Sequence, residues 1–160
     1  MQLRQPLPPR ELLRRAVALR GICERHGARL FVNDRADVAF AAGCGVHLPG
    51  RGLSPEDARA LGLAVAQSVH SAEEAARSSA EFVVFAPVFE TPGKTAQGLA
   101  ALREVCRVSR PPVLALGGVD EANARSCVEA GATGVACIRS VLGARDPAAA
   151  ALRLLQALDP

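Results

Sequence analysis

The chain contains no tryptophan, no tyrosine and a single methionine, and its five phenylalanines are its only aromatics apart from three histidines. With no Trp or Tyr to stack on bases, and with 19 basic residues scattered among 16 acidic ones, nucleic acid is not an expected partner. Long apolar runs are missing as well. Hydrophobic residues make up 49% of the chain, yet no stretch approaches the ~18 residues of a membrane span. The opening Met1-Gln-Leu-Arg-Gln5 is too polar for a signal peptide, so a cytoplasmic location is expected. The five cysteines, Cys23, Cys44, Cys106, Cys127 and Cys137, are odd in number and include no CxxC. Neither a zinc site nor a disulfide framework is expected from them; buried free thiols in a reducing compartment are. No GxGxxG follows an early strand, which argues against a dinucleotide fold. No low-complexity linker interrupts residues 1–160, and one domain is expected.

What is present is alternation. Short apolar runs recur at 1–4, 30–32, 45–47, 64–68, 82–85, 113–116 and 134–138, each long enough for a buried parallel strand. Helical patterns lie between them. The clearest covers residues 10–25, where Leu12, Ala16, Leu19 and Cys23 share one face. Ser71 and Glu74 have capping-box spacing, Asp120 stands where an N-cap is wanted before 121–130, and Asp146-Pro147 opens the last helix. Strict strand–helix alternation implies an α/β fold with a parallel sheet and outer helices. Seven βα units is one fewer than a TIM-type (β/α)8 barrel needs, so the expected fold is that barrel lacking its first strand and helix.

The segments Val113-Leu-Ala-Leu-Gly-Gly-Val119 and Gly134-Val-Ala-Cys-Ile-Arg-Ser140 end in small residues. In βα barrels the loops after the last two strands hold phosphate on backbone N–H groups, and Gly117, Gly118 and Ser140 suit that role. A plain tight turn at Gly117-Gly118 is the competing reading. Gln2 and Arg4, two apart on a strand, point to one face and could meet an anion. Asn33 could bond a heterocycle. Asp34 could bind Mg²⁺ or an amino group, or cap the helix at 35–42. His47 and His70 stand at strand ends as candidate proton shuttles or as structural residues. Ser68 and Thr91 offer hydroxyls and Lys94 a mobile cation suited to phosphate or diphosphate. Lys94 lies in the longest non-periodic loop, 87–98, and such loops in compact domains are usually functional.

Taken in order, these residues resemble the family of thiamine phosphate synthase and TenI, the thiazole tautomerase. Gln2-Leu-Arg4 resembles its QxRxK strand, Asn33-Asp34-Arg35 its NDR segment and Gly45-Val-His-Leu48 its GxHL strand. Ser68-Val-His-Ser71 resembles SxH[ST], and Pro87–Lys94 resembles PxFxTxxK. Leu116-Gly-Gly118 resembles IGG, and Ile138-Arg-Ser140 the closing hydrophobic-x-Ser. The resemblance implies a barrel enzyme of thiamine biosynthesis. The synthase joins a pyrimidine methyl diphosphate to a thiazole phosphate and releases diphosphate with Mg²⁺. By position, Gln2, Arg4, Asn33 and Lys94 would hold the diphosphate, and Asp34 the metal. Ser68, Thr91, Gly118 and Ser140 would hold the thiazole phosphate.

Three positions depart from the pattern. The lysine of QxRxK is Pro6, the synthase's second metal-binding aspartate falls near Gly52, and the histidine tautomerases carry before Val-Phe-Glu is Pro87. The segment His47-Leu-Pro-Gly-Arg-Gly-Leu-Ser54 is more similar to TenI. The reading is a TenI-like protein that binds thiazole phosphate and moves a ring proton without a cofactor, with His47, His70 or Glu90 as acid/base. A Mg²⁺-dependent synthase and a non-catalytic regulator are the alternatives, and a homo-oligomer is compatible with each.

Overall fold

The computed structural model describes residues 1–158. They form two compact units, Met1–Ser68 with Ser79–Glu81, and Val69–Ser78 with the chain from Phe82 on.

The first unit runs β1 (Gln2–Leu3), α1 (Pro9–Arg25), β2 (Phe31–Asn33), α2 (Ala36–Ala42), β3 (Gly45–Leu48), α3 (Pro55–Ala60) and β4 (Val65–Val69, whose last residue belongs to the second unit). Each strand pairs in parallel with its chain neighbour, with Leu3 opposite Val32, Asn33 opposite His47 and Val46 opposite Val65. The core gathers Leu3, Val32, Val46 and Val65 from strands with Leu12, Ala16 and Cys23 from α1, so the helical face read from residues 10–25 is the buried one. Leu19 packs against this core only partly buried. Leu3 packs among these helix residues, and Gln2 and Arg4 are exposed. The first strand is two residues, not four, because Arg4 already lies beyond its pairing with β2.

The second unit runs α4 (Ala72–Arg77), β5 (Phe82–Phe85), α5 (Gly98–Val108), β6 (Val113–Leu116), α6 (Ala124–Glu129), β7 (Gly134–Ala136), α7 (Arg139–Leu142) and α8 (Pro147–Leu158). Strands β5, β6 and β7 pair in parallel in that order. Val83, Phe85, Val113 and Ala115 meet Leu102 and Val105 of α5, Ala124 and Cys127 of α6 and Leu154 of α8 in one core. Burial pushes the Cys127 thiol up to about 11, so this cysteine behaves as an apolar residue.

Two of three helix starts differ in detail from the sequence reading. Ser71 Oγ accepts from Glu74 N (3.1 Å), but Glu74 Oε2 accepts from His70 N (2.7 Å) rather than from Ser71, so the box closes one residue early. Asp120 is not an N-cap. Its Oδ1 accepts from Ala122 N in a local turn (3.0 Å), and α6 begins three residues after the expected start, behind Asn123. A short acceptor side chain satisfies its own turn as readily as a helix end. Asp146 does accept from Ala149 N (3.0 Å), with Pro147 at the first position of α8.

Candidate functional site

In the first unit, the polar side chains gather where β1 to β4 end. Gln2 Nε2 donates to Asn33 Oδ1 (2.9 Å), and Asn33 is paired with His47 across the sheet. The His47 ring is buried, with Nε2 2.8 Å from Ser68 Oγ. Burial first, and then the Arg4 charge, lower its pKa to about 4. A ring that stays neutral well below neutral pH is a weak base; here it fixes Ser68. Asp34 has φ +58°, and Asp34 N donates to His47 O (2.9 Å). The helix that follows is capped at Arg35 without a side-chain bond, so Asp34 is not the cap that one reading allowed. Its carboxylate is left exposed at the strand end.

The His47 ring makes stability depend on pH. Its folded pKa, about 4, lies below the ordinary 6.5. Between those values the unfolded chain carries the extra proton. Its contribution is therefore complete above pH 6.5 and is lost as pH falls toward 4. The full loss is about 3 kcal/mol. Urea unfolding from pH 7 to 4 is expected to show this loss in the native chain and a flatter profile in His47→Gln.

The residues present do not fit a divalent cation held by the protein alone. Asp34 offers one carboxylate. Gly52, where the second would fall, sits in an open turn where an added Cβ would meet nothing within 4 Å. Asp37 is taken by Arg35 (2.8 and 2.5 Å), which holds its carboxyl down at about 2. Among the described residues, no three His, Cys, Asp or Glu side chains cluster as ligands. Magnesium bound by a single carboxylate completes its shell with waters and substrate oxygens.

The second unit holds a cavity of about 680 Å³ after β6 and β7, lined among others by Thr91, Gly117, Gly118, Arg139, Ser140 and Arg153. The backbone N–H groups of Gly117, Gly118 and Val119 donate to no atom among the described residues. Such a run of free donors is an anion-binding concavity. The glycines are required for a further reason. Both have positive φ, +99° and +66°. A Cβ on Gly117 would lie 2.7 Å from Pro87 Cα, and one on Gly118 would lie 2.7 Å from Phe89 Cβ and 2.8 Å from Glu90 O. The loop after β5 seats directly on them, and Val88 N and Phe89 N donate to Leu116 O and Gly117 O (2.9 Å each).

That loop also holds His70. The His70 Nδ1 atom lies 2.8 Å from Ala86 O, and Gln97 Nε2 donates to the same oxygen (3.1 Å). A carbonyl only accepts, so Nδ1 carries the proton and Nε2 of the neutral ring keeps its lone pair. Residues Thr91 and Lys94 close a tight turn through Pro92 and Gly93 (φ +77°), with Lys94 N donating to Thr91 O (2.9 Å). Of this pair Thr91 lines the cavity and Lys94 does not; Lys94 and Glu90 are exposed. Ser140 Oγ donates to Val119 O (2.9 Å), which ties the two cup loops together.

Among the candidates read from sequence, the structure thus brings together Thr91, Gly117, Gly118 and Ser140 at one cavity, and Gln2, Asn33, His47 and Ser68 at the strand ends of the other unit. Sequence reasoning missed Gln97, Glu121, Arg139 and Arg153. Arg139 carried a signal, a cation directly after the apolar run 134–138. The others sit in ordinary loop and helical patterns and carried none.

Parallel βα units whose polar side chains collect at the strand ends define an α/β protein of the TIM-type barrel class, with seven strands where that barrel has eight. The chain belongs to the thiamine monophosphate synthase family, whose model matches residues 1–141. It is 41% identical to a putative thiamine-phosphate synthase of Geobacter sulfurreducens, covering 100% of this chain and 81% of that protein. It is 43% identical to the thiamine-phosphate synthase of Methanoculleus marisnigri, covering 96% and 79%. A solved thiamine phosphate pyrophosphorylase from Pyrococcus furiosus superposes with a TM-score of 0.91 at 33% identity, covering 98% of this chain and 81% of that one. No helix among the described residues is long and apolar enough to cross a membrane.

Proposed function

We propose that the chain binds a thiazole phosphate through the cup after β6 and β7 and moves a proton on its ring, as a thiazole tautomerase of the family. The observation that carries this reading is the run of three unpaired backbone N–H groups at Gly117–Val119, on the loop against which the segment after β5 packs, the segment whose Ala86 O holds His70. The phosphate is held by N–H groups that keep their direction whether or not a ligand is present. His70 Nε2 accepts a proton from one ring position, and an acid returns one at another. The electron pair left behind shifts within the ring, so nothing is oxidised or reduced. Glu90, exposed one residue before Thr91, is the candidate acid. His47, held neutral and bonded to Ser68, positions rather than titrates.

A second reading, the synthase, is favoured by the relatives of 41% and 43% identity that carry that name. It would use Gln2, Arg4 and Asn33 for a pyrimidine methyl diphosphate and Asp34 with Mg²⁺. One experiment separates the two. The purified chain is given thiazole phosphate in D₂O, with and without the pyrimidine diphosphate and Mg²⁺. Metal-independent deuterium entry into the ring supports the tautomerase. Thiamine phosphate formed only with Mg²⁺, and no ring exchange, overturns it for the synthase.

A further inference from the structure

Four charged side chains line the cup cavity, Asp120, Glu121, Arg139 and Arg153. Three of them are engaged. Asp120 Oδ1 accepts from Ala122 N (3.0 Å), and Arg153 Nε lies 2.6 Å from Glu121 Oε2. Arg139 has no ion-pair or side-chain hydrogen-bond partner among the described residues, and it is exposed directly beside Ser140. The side chain otherwise best placed to donate, Ser140, has one hydroxyl proton and gives it to Val119 O. The cavity therefore has backbone donors for an anion, one cation without a partner, Arg139, and one carboxylate, Asp120, held only by a backbone N–H.

Resting on the proposed phosphate reading, we infer that Arg139 is the specificity-determining residue of the cup: its guanidinium binds the phosphate dianion and makes the site select phosphorylated ligands over the corresponding alcohol. Backbone N–H groups bond an oxygen whatever its charge. A guanidinium rewards the second negative charge with paired, charge-assisted hydrogen bonds. The Arg153–Glu121 pair lies in the same cavity and is already neutralised, so it adds little to this selection.

The test is calorimetric titration of the native chain, Arg139→Ala, Arg139→Lys and Arg153→Ala with hydroxyethylthiazole phosphate, unphosphorylated hydroxyethylthiazole and inorganic phosphate. Arg139→Ala is expected to weaken both phosphates by roughly tenfold or more while leaving the alcohol unchanged. Arg139→Lys is expected to recover part of the loss, and Arg153→Ala, which frees the Glu121 carboxylate in the same cavity, to weaken the phosphates less than Arg139→Ala does. An Arg139→Ala chain that melts like the native one and binds both phosphates as tightly would overturn the inference. So would an equal loss for phosphate and alcohol, or a native chain that binds no phosphate. If inorganic phosphate binds in an Arg139-dependent way but the thiazole phosphate binds no better, the inference stands and the thiazole reading falls.

Discussion

Replacing Gly118 by alanine is expected to destabilise the chain by roughly 3 kcal/mol and to abolish phosphate binding, because two costs add at one position. At φ +66° an L side chain meets backbone strain of about 1–2 kcal/mol. The new methyl would also stand 2.7 Å from Phe89 Cβ and 2.8 Å from Glu90 O. The carbonyl cannot rotate away as a side-chain tip could, so the β5 loop must lift. Lifting it breaks the Phe89 N to Gly117 O bond and shifts the N–H groups that form the cup. Gly62→Ala is the internal control. It has φ +76° but nothing within 4 Å, so it should show the strain alone. Urea unfolding of the two variants should differ by about 1–3 kcal/mol, the cost of overpacking. Equal stabilities would mean that the loop gives way freely and that the glycines serve only the turn.

The second large effect concerns His70. His70→Gln is expected to lower ring-proton transfer by about 10²- to 10⁴-fold while affinity for the thiazole phosphate stays within about threefold. Glutamine can still donate to Ala86 O, so the loop keeps its anchor, but it has no lone pair of useful basicity where Nε2 stood. The split between rate and affinity matters. With the anchor kept, a purely structural histidine replaced by glutamine would lose neither. A catalytic one loses rate alone.

Much of this was legible in the chain. Strands β5 and β6 fall on the residues their apolar runs predict, and the buried stripe of α1 matches its 3.6-residue period, because burial on one face leaves a direct mark on sequence. The Asp146-Pro147 start is equally plain. The meaning of Gly117-Gly118 was only half legible. A glycine pair announces close approach but not what approaches, and here Pro87 and Phe89 from the preceding loop do so as well as any ligand. Asp120 misled for a related reason: an Asp before a helical pattern can serve the turn or the helix, and only the backbone decides. The hydrogen bond that sets the His70 tautomer reaches 16 residues along the chain to a main-chain oxygen, which has no sequence signature. Arg139 left only a faint mark, a cation directly after the apolar run 134–138, and such an arginine reads as a solvated charge until its neighbours are seen to be paired.

The measurement that bears most directly on the account is calorimetric titration of the chain with hydroxyethylthiazole phosphate, repeated with Ser140→Asp. Ser140 braces the two cup loops through Val119 O, and an aspartate there would set a negative charge beside the phosphate. Saturable binding at one site that Ser140→Asp abolishes, with the variant still folding cooperatively, is the expected result. No binding by the folded native chain, or binding that survives the aspartate, would contradict the claim that this cup holds a thiazole phosphate.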